Sequence, residues 1–132
     1  MKYLLDTNIC IYIIKKKPEQ VLERFVKFKP GSLAISNITV AELYYGVAKS
    51  FYPNENTIAL EEFLQPLQII DFTKEDAIVY GKIRAKLESI GKIIGAMDLL
   101  IASQALNNHL ILVTNNEKEF LRVENLKIEN WV

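Results

Sequence analysis

Residues 1–9, MKYLLDTNI, end an apolar run on an aspartate, follow it with Thr7 and Asn8, and lead straight into a second apolar run. Asp, Thr and Asn are good helix starters, because their side-chain oxygens accept hydrogen bonds from the free amides of the first turn. A carboxylate fixed at the end of a parallel strand is also well placed to hold a metal ion. Asp6 admits both readings, so the rest of the chain has to weigh them.

Working outward, short strand-like runs alternate with helical patterns. KYLL (2–5) predicts a strand and NICIYIIKKK (8–17) a helix stopped before Pro18. PEQVLERFVKFK (18–29) repeats helical spacing, with Val21, Leu22, Phe25 and Phe28 on one side. SLAIS (32–36) is a short strand closed by Ser36 and Asn37, and ITVAELYYGVAKS (38–50) a helix ended by the breaker YPN (52–54). ENTIALEEFLQ (55–65) is helical and LQIIDF (67–72) strand-like. TKEDAIVYGKIRAKLESIG (73–91) is an amphipathic helix with Thr73 as cap and Gly91 as stop. AMDLLIASQALNN (96–108), the strand LILVT (110–114), a helical turn near NEKEF (116–120) and a last strand near LKIEN (126–130) complete the series.

Strands separated by helices, without a hairpin signature, predict an α/β fold: a three-layer α/β/α sandwich with a central parallel sheet. The 132 residues fit one domain, 1–132, with no repeat and no linker. Half the residues are hydrophobic and 24% charged, which excludes a disordered chain. The apolar run from Tyr3 to Ile14 is too short and too polar for a membrane span and lacks the form of a signal peptide. The lone Cys10 excludes an internal disulfide and fits the cytoplasm; between Ile9 and Ile11 it is expected in the core. Net charge is zero, so no global field advertises nucleic acid, although residues 1–30 are locally basic. His109 is expected as a turn residue. The aromatics of FVKFK (25–29) and ELYYGVAKSFY (42–52) sit at helical spacing, where core is the usual fate.

In open parallel sheets the functional crevice lies at the carboxyl ends of the strands. Asp6 follows the first strand there, and Thr114, Asn115 and Asn116 follow LILV. Glu42 lies on the helix beyond the second strand, with Val40, Leu43 and Val47 around it; alone it would simply face solvent. Asp98 is the only charged residue between Lys92 and Glu117. It could stabilise a helix amino terminus, yet a carboxylate in so apolar a stretch needs a partner. Glu119 follows Asn116 within a turn. Oxygen ligands without His or Cys suit Mg²⁺, with Mn²⁺ as a plausible substitute, rather than zinc. Such clusters serve phosphodiester hydrolysis. No HExxH, P-loop, Gly-rich dinucleotide loop or Ser-His-Asp order competes.

LLDTNI, AELYYG, IGAMDLLIA and VTNNEKEF, in this order, resemble the motifs of PIN domains, and the whole chain is similar to VapC-type toxins, the ribonuclease half of a bacterial toxin–antitoxin pair. The resemblance implies an Mg²⁺-dependent endoribonuclease in which Asp6, Glu42 and Asp98 are the metal-site acids. Thr7 and Asn8 match residues that hold the first carboxylate and contact phosphate or water. Thr114 belongs to the last motif, and the fourth acid of many relatives is here Asn116, with Glu119 nearby to supply the missing charge. The resemblance also implies an RNA substrate, with tRNA the first expectation, a VapB-type antitoxin and a homodimer or larger toxin–antitoxin complex. The competing expectation is a PIN-fold RNA- or partner-binding module with weakened catalysis, motivated by Asn116. A phosphoacceptor receiver domain expects paired acids after the first strand, and Asp6 stands alone there.

Overall fold

The computed structural model describes residues 2–132. Five strands, β1 (Tyr3–Leu5), β2 (Leu33–Ser36), β3 (Gln68–Ile70), β4 (Ile111–Val113) and β5 (Ile128–Glu129), form one parallel sheet in the order β3-β2-β1-β4-β5. Seven helices are described: α1 (Thr7–Lys15), α2 (Glu19–Phe25), α3 (Asn37–Ala48), α4 (Pro53–Leu64), α5 (Lys74–Ser89), α6 (Ala96–Asn107) and α7 (Glu117–Phe120).

The strand pleat divides the core. Leu4, Ala34 and Leu112 point to one face and pack with Leu87, Leu99, Ala102 and Phe120 from α5, α6 and α7. Leu5, Ile35 and Val113 point to the other and meet Ile9, Ile13, Val21, Leu43 and Leu60 from α1 to α4. The sheet is therefore covered on both faces, as a parallel sheet must be, and the expected α/β/α sandwich is the observed one. Cys10 is fully buried, and His109 takes a left-handed φ of 56° between α6 and β4.

Local chemistry sets the helix ends. Asp6 caps α1 by accepting from Ile9 N–H at 2.9 Å, and Ser36 caps α3 by accepting from Ile38 N–H at 3.1 Å. Thr73 and Asp76 form a reciprocal capping box on α5. Two departures from the sequence reading have tertiary causes. The helix expected over 18–29 stops at Phe25, because Phe28 leaves the helical path to stack on Trp131, ring centroids 5.5 Å apart. Pro53, expected as a breaker, starts α4 at its first position, where its missing N–H costs nothing. The aromatics of residues 44–52 are not core: Tyr44, Tyr45, Phe51 and Tyr52 are all exposed, Phe51 almost completely.

From β1 the chain builds outward to β2 and β3, then crosses back to place β4 on the opposite side of β1. The order reverses between β1 and β4, and a crevice opens at their carboxyl ends. Asp6 and Thr114 stand on its two sides, joined through the Asp6 N–H to Val113 C=O bond of 3.0 Å.

Candidate active site

Asp6 is only 5% exposed. Burial pushes its carboxyl above the ordinary range. The Thr114 hydroxyl and the main-chain amides of Ile9 and Asn8 pull it back, and the charge of Glu42 pushes it up again. The helix-cap reading and the charged-site reading of Asp6 thus describe one side chain: it starts α1 while standing among other acids. Thr114 is fully buried, and its Oγ1 accepts the Asn116 N–H at 3.0 Å. One hydroxyl therefore ties Asp6 to the loop after β4.

Glu42 projects from α3 toward α1, where its Oε1 accepts the Thr7 hydroxyl proton at 2.7 Å. The buried Thr39 hydroxyl, one turn earlier on α3, lies 3.4 Å from the same Thr7 oxygen. Asn8 contributes its main-chain amide to Asp6, while the residue itself is exposed.

Asp98 occupies the first turn of α6, a helix whose cap, Gly95, has no side chain to offer. Burial is the largest cause that raises its pKa to about 6, followed by the charges of Glu119 and Asp6 and, more weakly, Glu42. Glu119 runs the opposite way. Its Oε1 accepts the Gly95 N–H at 2.7 Å and its Oε2 accepts the Asn116 side-chain amide at 2.8 Å, which hold it below the usual carboxylate range. The two carboxyls are close enough to shift each other, Asp98 upward and Glu119 downward.

The sequence-predicted residues therefore meet at one crevice. Asp98 feels the charges of Glu119, Asp6 and Glu42, Asp6 feels that of Glu42, and Thr7, Thr114 and Asn116 each hold one of these acids or the loop between them. Among the described residues, no three acids already stand in a metal-holding group; Asp6, Glu42 and Glu119 are each fastened by their own hydrogen bonds. Gly95 was missed by sequence reasoning because its part is played by a backbone N–H. Thr39 was missed because nothing in ITVAE marks one threonine as facing Thr7.

A PIN-domain family model matches residues 3–126. Ribonuclease VapC2 of Haemophilus influenzae is 49% identical over 132 residues, covering 100% of this chain and 99% of that protein. The chain belongs to the VapC family of PIN-domain ribonucleases. The tRNA(fMet)-specific endonuclease VapC of Salmonella typhimurium is 42% identical over 131 residues, covering 99% of this chain and 98% of that one. A DNA-bound VapBC structure from the same organism superposes with a TM-score of 0.94 at 42% identity, covering 100% and 99% of the two chains.

The family is metal-dependent, and the donor chemistry of the crevice fits a hard cation. Its acids are all carboxylates, without thiol or imidazole among them, and their mutual repulsion is the kind of charge excess that a divalent ion relieves. A lengthwise groove of about 340 Å³ runs from Glu42 between α1, α3 and α4, past Ile11, Ile14, Gly46, Val47 and Leu60.

Proposed function

We propose that this chain is the toxin of a toxin–antitoxin pair, and that it cleaves RNA by hydrolysing a phosphodiester bond with a divalent cation, Mg²⁺ first and Mn²⁺ as a substitute. Asp6 and Asp98 would hold the ion directly, and Glu42 would complete the site as a ligand or by orienting the attacking water. Bound there, the cation supplies a water acidic enough to attack at neutral pH and neutralises charge building on the phosphate. Thr7 fixes the Glu42 carboxylate so that its free oxygen can receive a proton. Thr114, Asn116 and the Asn8 amide keep Asp6 and the β4 loop in register with the scissile phosphate. Glu119 supplies the negative charge that Asn116 lacks. The expected products carry a 5′-phosphate and a 3′-hydroxyl.

The observation that carries this reading is that Asp98, raised to about 6 mainly by burial, also feels the charges of Glu119, Asp6 and, more weakly, Glu42 near the β1–β4 switch point. The test is induced expression in bacteria of wild type against Asp6→Ala, with sequencing of new RNA 5′ ends. New ends with wild type alone support the proposal; identical end profiles in the two cultures refute it.

The tRNA(fMet)-specific Salmonella relative makes initiator tRNA the first RNA to try. The VapBC assembly makes a VapB-type antitoxin the expected inhibitor. The mostly apolar groove that Glu42 lines suits an antitoxin segment that would cover that acid. A homodimer is the expected toxin assembly.

A further inference from the structure

A cluster of four carboxylates repels a polyanion, and a neutral chain provides no general attraction to overcome that repulsion. A cation on the rim of the crevice would have to do so locally. Three arginines occur in the chain, Arg24, Arg84 and Arg122. Arg24 is paired with Glu129 and Arg84 with Glu88, and Lys86 is paired with Glu124. Among the described residues, Arg122 has no carboxylate at ion-pair distance.

Its position is nevertheless fixed. Arg122 Nη1 donates to the Ile93 carbonyl at 2.8 Å. Two residues beyond Ile93, the Gly95 N–H is held by Glu119, and Arg122, just past the end of α7, donates its own N–H to the Glu119 carbonyl at 3.1 Å. Residues 93–95, which lead into α6 and Asp98, are thus clipped twice to residues 119–122. The guanidinium carries five donors and spends one on Ile93, so an exposed, oriented fork remains beside Glu119, whose carboxyl it helps to hold low. Such a fork matches the paired oxygens of a phosphate.

We propose that Arg122 binds a backbone phosphate of the RNA at the rim of the acid cluster and so seats the scissile linkage over it. The proposal rests on the ribonuclease reading above and assigns Arg122 as a positioning residue for the substrate. Its bond to Ile93 is the alternative role: a clip that merely shapes the loop before α6.

The experiment uses a transcript of bacterial initiator tRNA as the probe. Binding is measured against salt concentration for Asp98→Asn and for Asp98→Asn with Arg122→Gln or Arg122→Lys. One lost phosphate contact lowers the slope of log affinity against log salt by roughly 0.7 to 0.9. Arg122→Gln is expected to show that loss and Arg122→Lys to retain most of the slope. In the otherwise wild-type enzyme, Arg122→Gln should raise KM about tenfold while kcat falls less than threefold. An unchanged salt slope, or a KM effect matched by a lowered unfolding midpoint and not rescued by lysine, overturns the proposal. Binding needs no cleavage, so an Arg122-dependent slope stands even where the transcript proves uncut, and that second result counts against the tRNA reading alone.

Discussion

The Asn116 side-chain amide donates a 2.8 Å hydrogen bond to Glu119 Oε2. An acid at position 116 would repel Glu119; an asparagine there instead draws it toward Asp98. On the proposed reading, Glu119 would supply, one helical turn later, the carboxylate that Asn116 lacks. Glu119→Ala is expected to lower kcat/KM about tenfold or more and to raise the Mg²⁺ concentration needed for half-maximal rate. Glu119→Gln keeps an oxygen for the Gly95 N–H, so a similar loss in Gln and Ala variants assigns the effect to charge. Metal titrations of both variants at wild-type level would remove Glu119 from the site.

Among the described residues, Thr7 is the only side chain that hydrogen-bonds Glu42, through its 2.7 Å hydroxyl bond. Thr7→Val keeps the shape and removes that donor. Cleavage should fall about tenfold with little change in unfolding midpoint, and Thr7→Ser should restore most of it. Steady-state rates for the three proteins decide the matter; a fully active valine variant would show that Glu42 needs no such anchor.

Asp98 gives the pH dependence a sign. Folding raises its pKa from 3.8 to about 6, so between those values the folded chain holds more protons than the unfolded one. Stability from this group is complete below pH 3.8 and is lost as pH climbs through about 6. In chelator-treated protein, Asp98→Asn should therefore be more stable than wild type at pH 8, and the gap should close as pH falls below 6. Urea unfolding at several pH values measures it. Metal binding, which needs the ionised form, should weaken in the wild type below about pH 6 and release a proton detectable by calorimetry in two buffers.

Asp76 tests stability apart from the acids. It is fully buried with no ion-pair partner among the described residues, yet accepts from Thr73 N–H at 2.8 Å, Asn107 Nδ2 at 2.7 Å and Asn108 Nδ2 at 3.1 Å, tying the start of α5 to the end of α6. Asp76→Ala leaves three donors without their acceptor and should cost about 2–4 kcal/mol in urea unfolding. Cleavage per folded molecule should stay at the wild-type level, because Asp76 touches none of the acids at the crevice.

What the sequence could disclose follows from how local each determinant is. The strand pleat, the Thr73 cap and the apolar stripe of α1 are written within a few neighbouring residues, so the alternation that makes the sandwich is legible directly. The topology rule for parallel sheets points to Asp6 at a strand exit, whereas Glu42, midway along α3, and Asp98, on a helix that follows α5 rather than a strand, stand out only by their apolar surroundings and by the motif resemblance. The end of α2 is not legible, since it depends on Phe28 finding Trp131 near the carboxyl terminus. Nor is the exposure of Tyr45 and Phe51, because helical spacing says which residues share a face but not whether another element covers it. Glu119 could be suspected from sequence, but the Gly95 amide that holds it could not: every residue but proline carries that donor.

The groove gives a prediction that separates inhibition from catalysis. Gly46 lies on α3 along its wall, and a Cβ added there meets nothing within 4 Å. Replacing a mid-helix glycine also favours the helix by roughly 0.5–1 kcal/mol, so Gly46→Glu should fold well while placing a bulky side chain in a mostly apolar channel that Lys15 and Glu42 also line. An antitoxin segment seated between α1, α3 and α4 would then face steric conflict. Cleavage by the isolated variant should persist, because Gly46 lies a full turn beyond Glu42 and contacts none of the hydrogen bonds that hold the acids. Co-expression with the antitoxin should fail to rescue growth, whereas wild-type toxin should be neutralised. Full rescue of Gly46→Glu, with complex formation undiminished in a pull-down, would place the inhibitory segment elsewhere on the toxin and leave the groove without its assigned occupant.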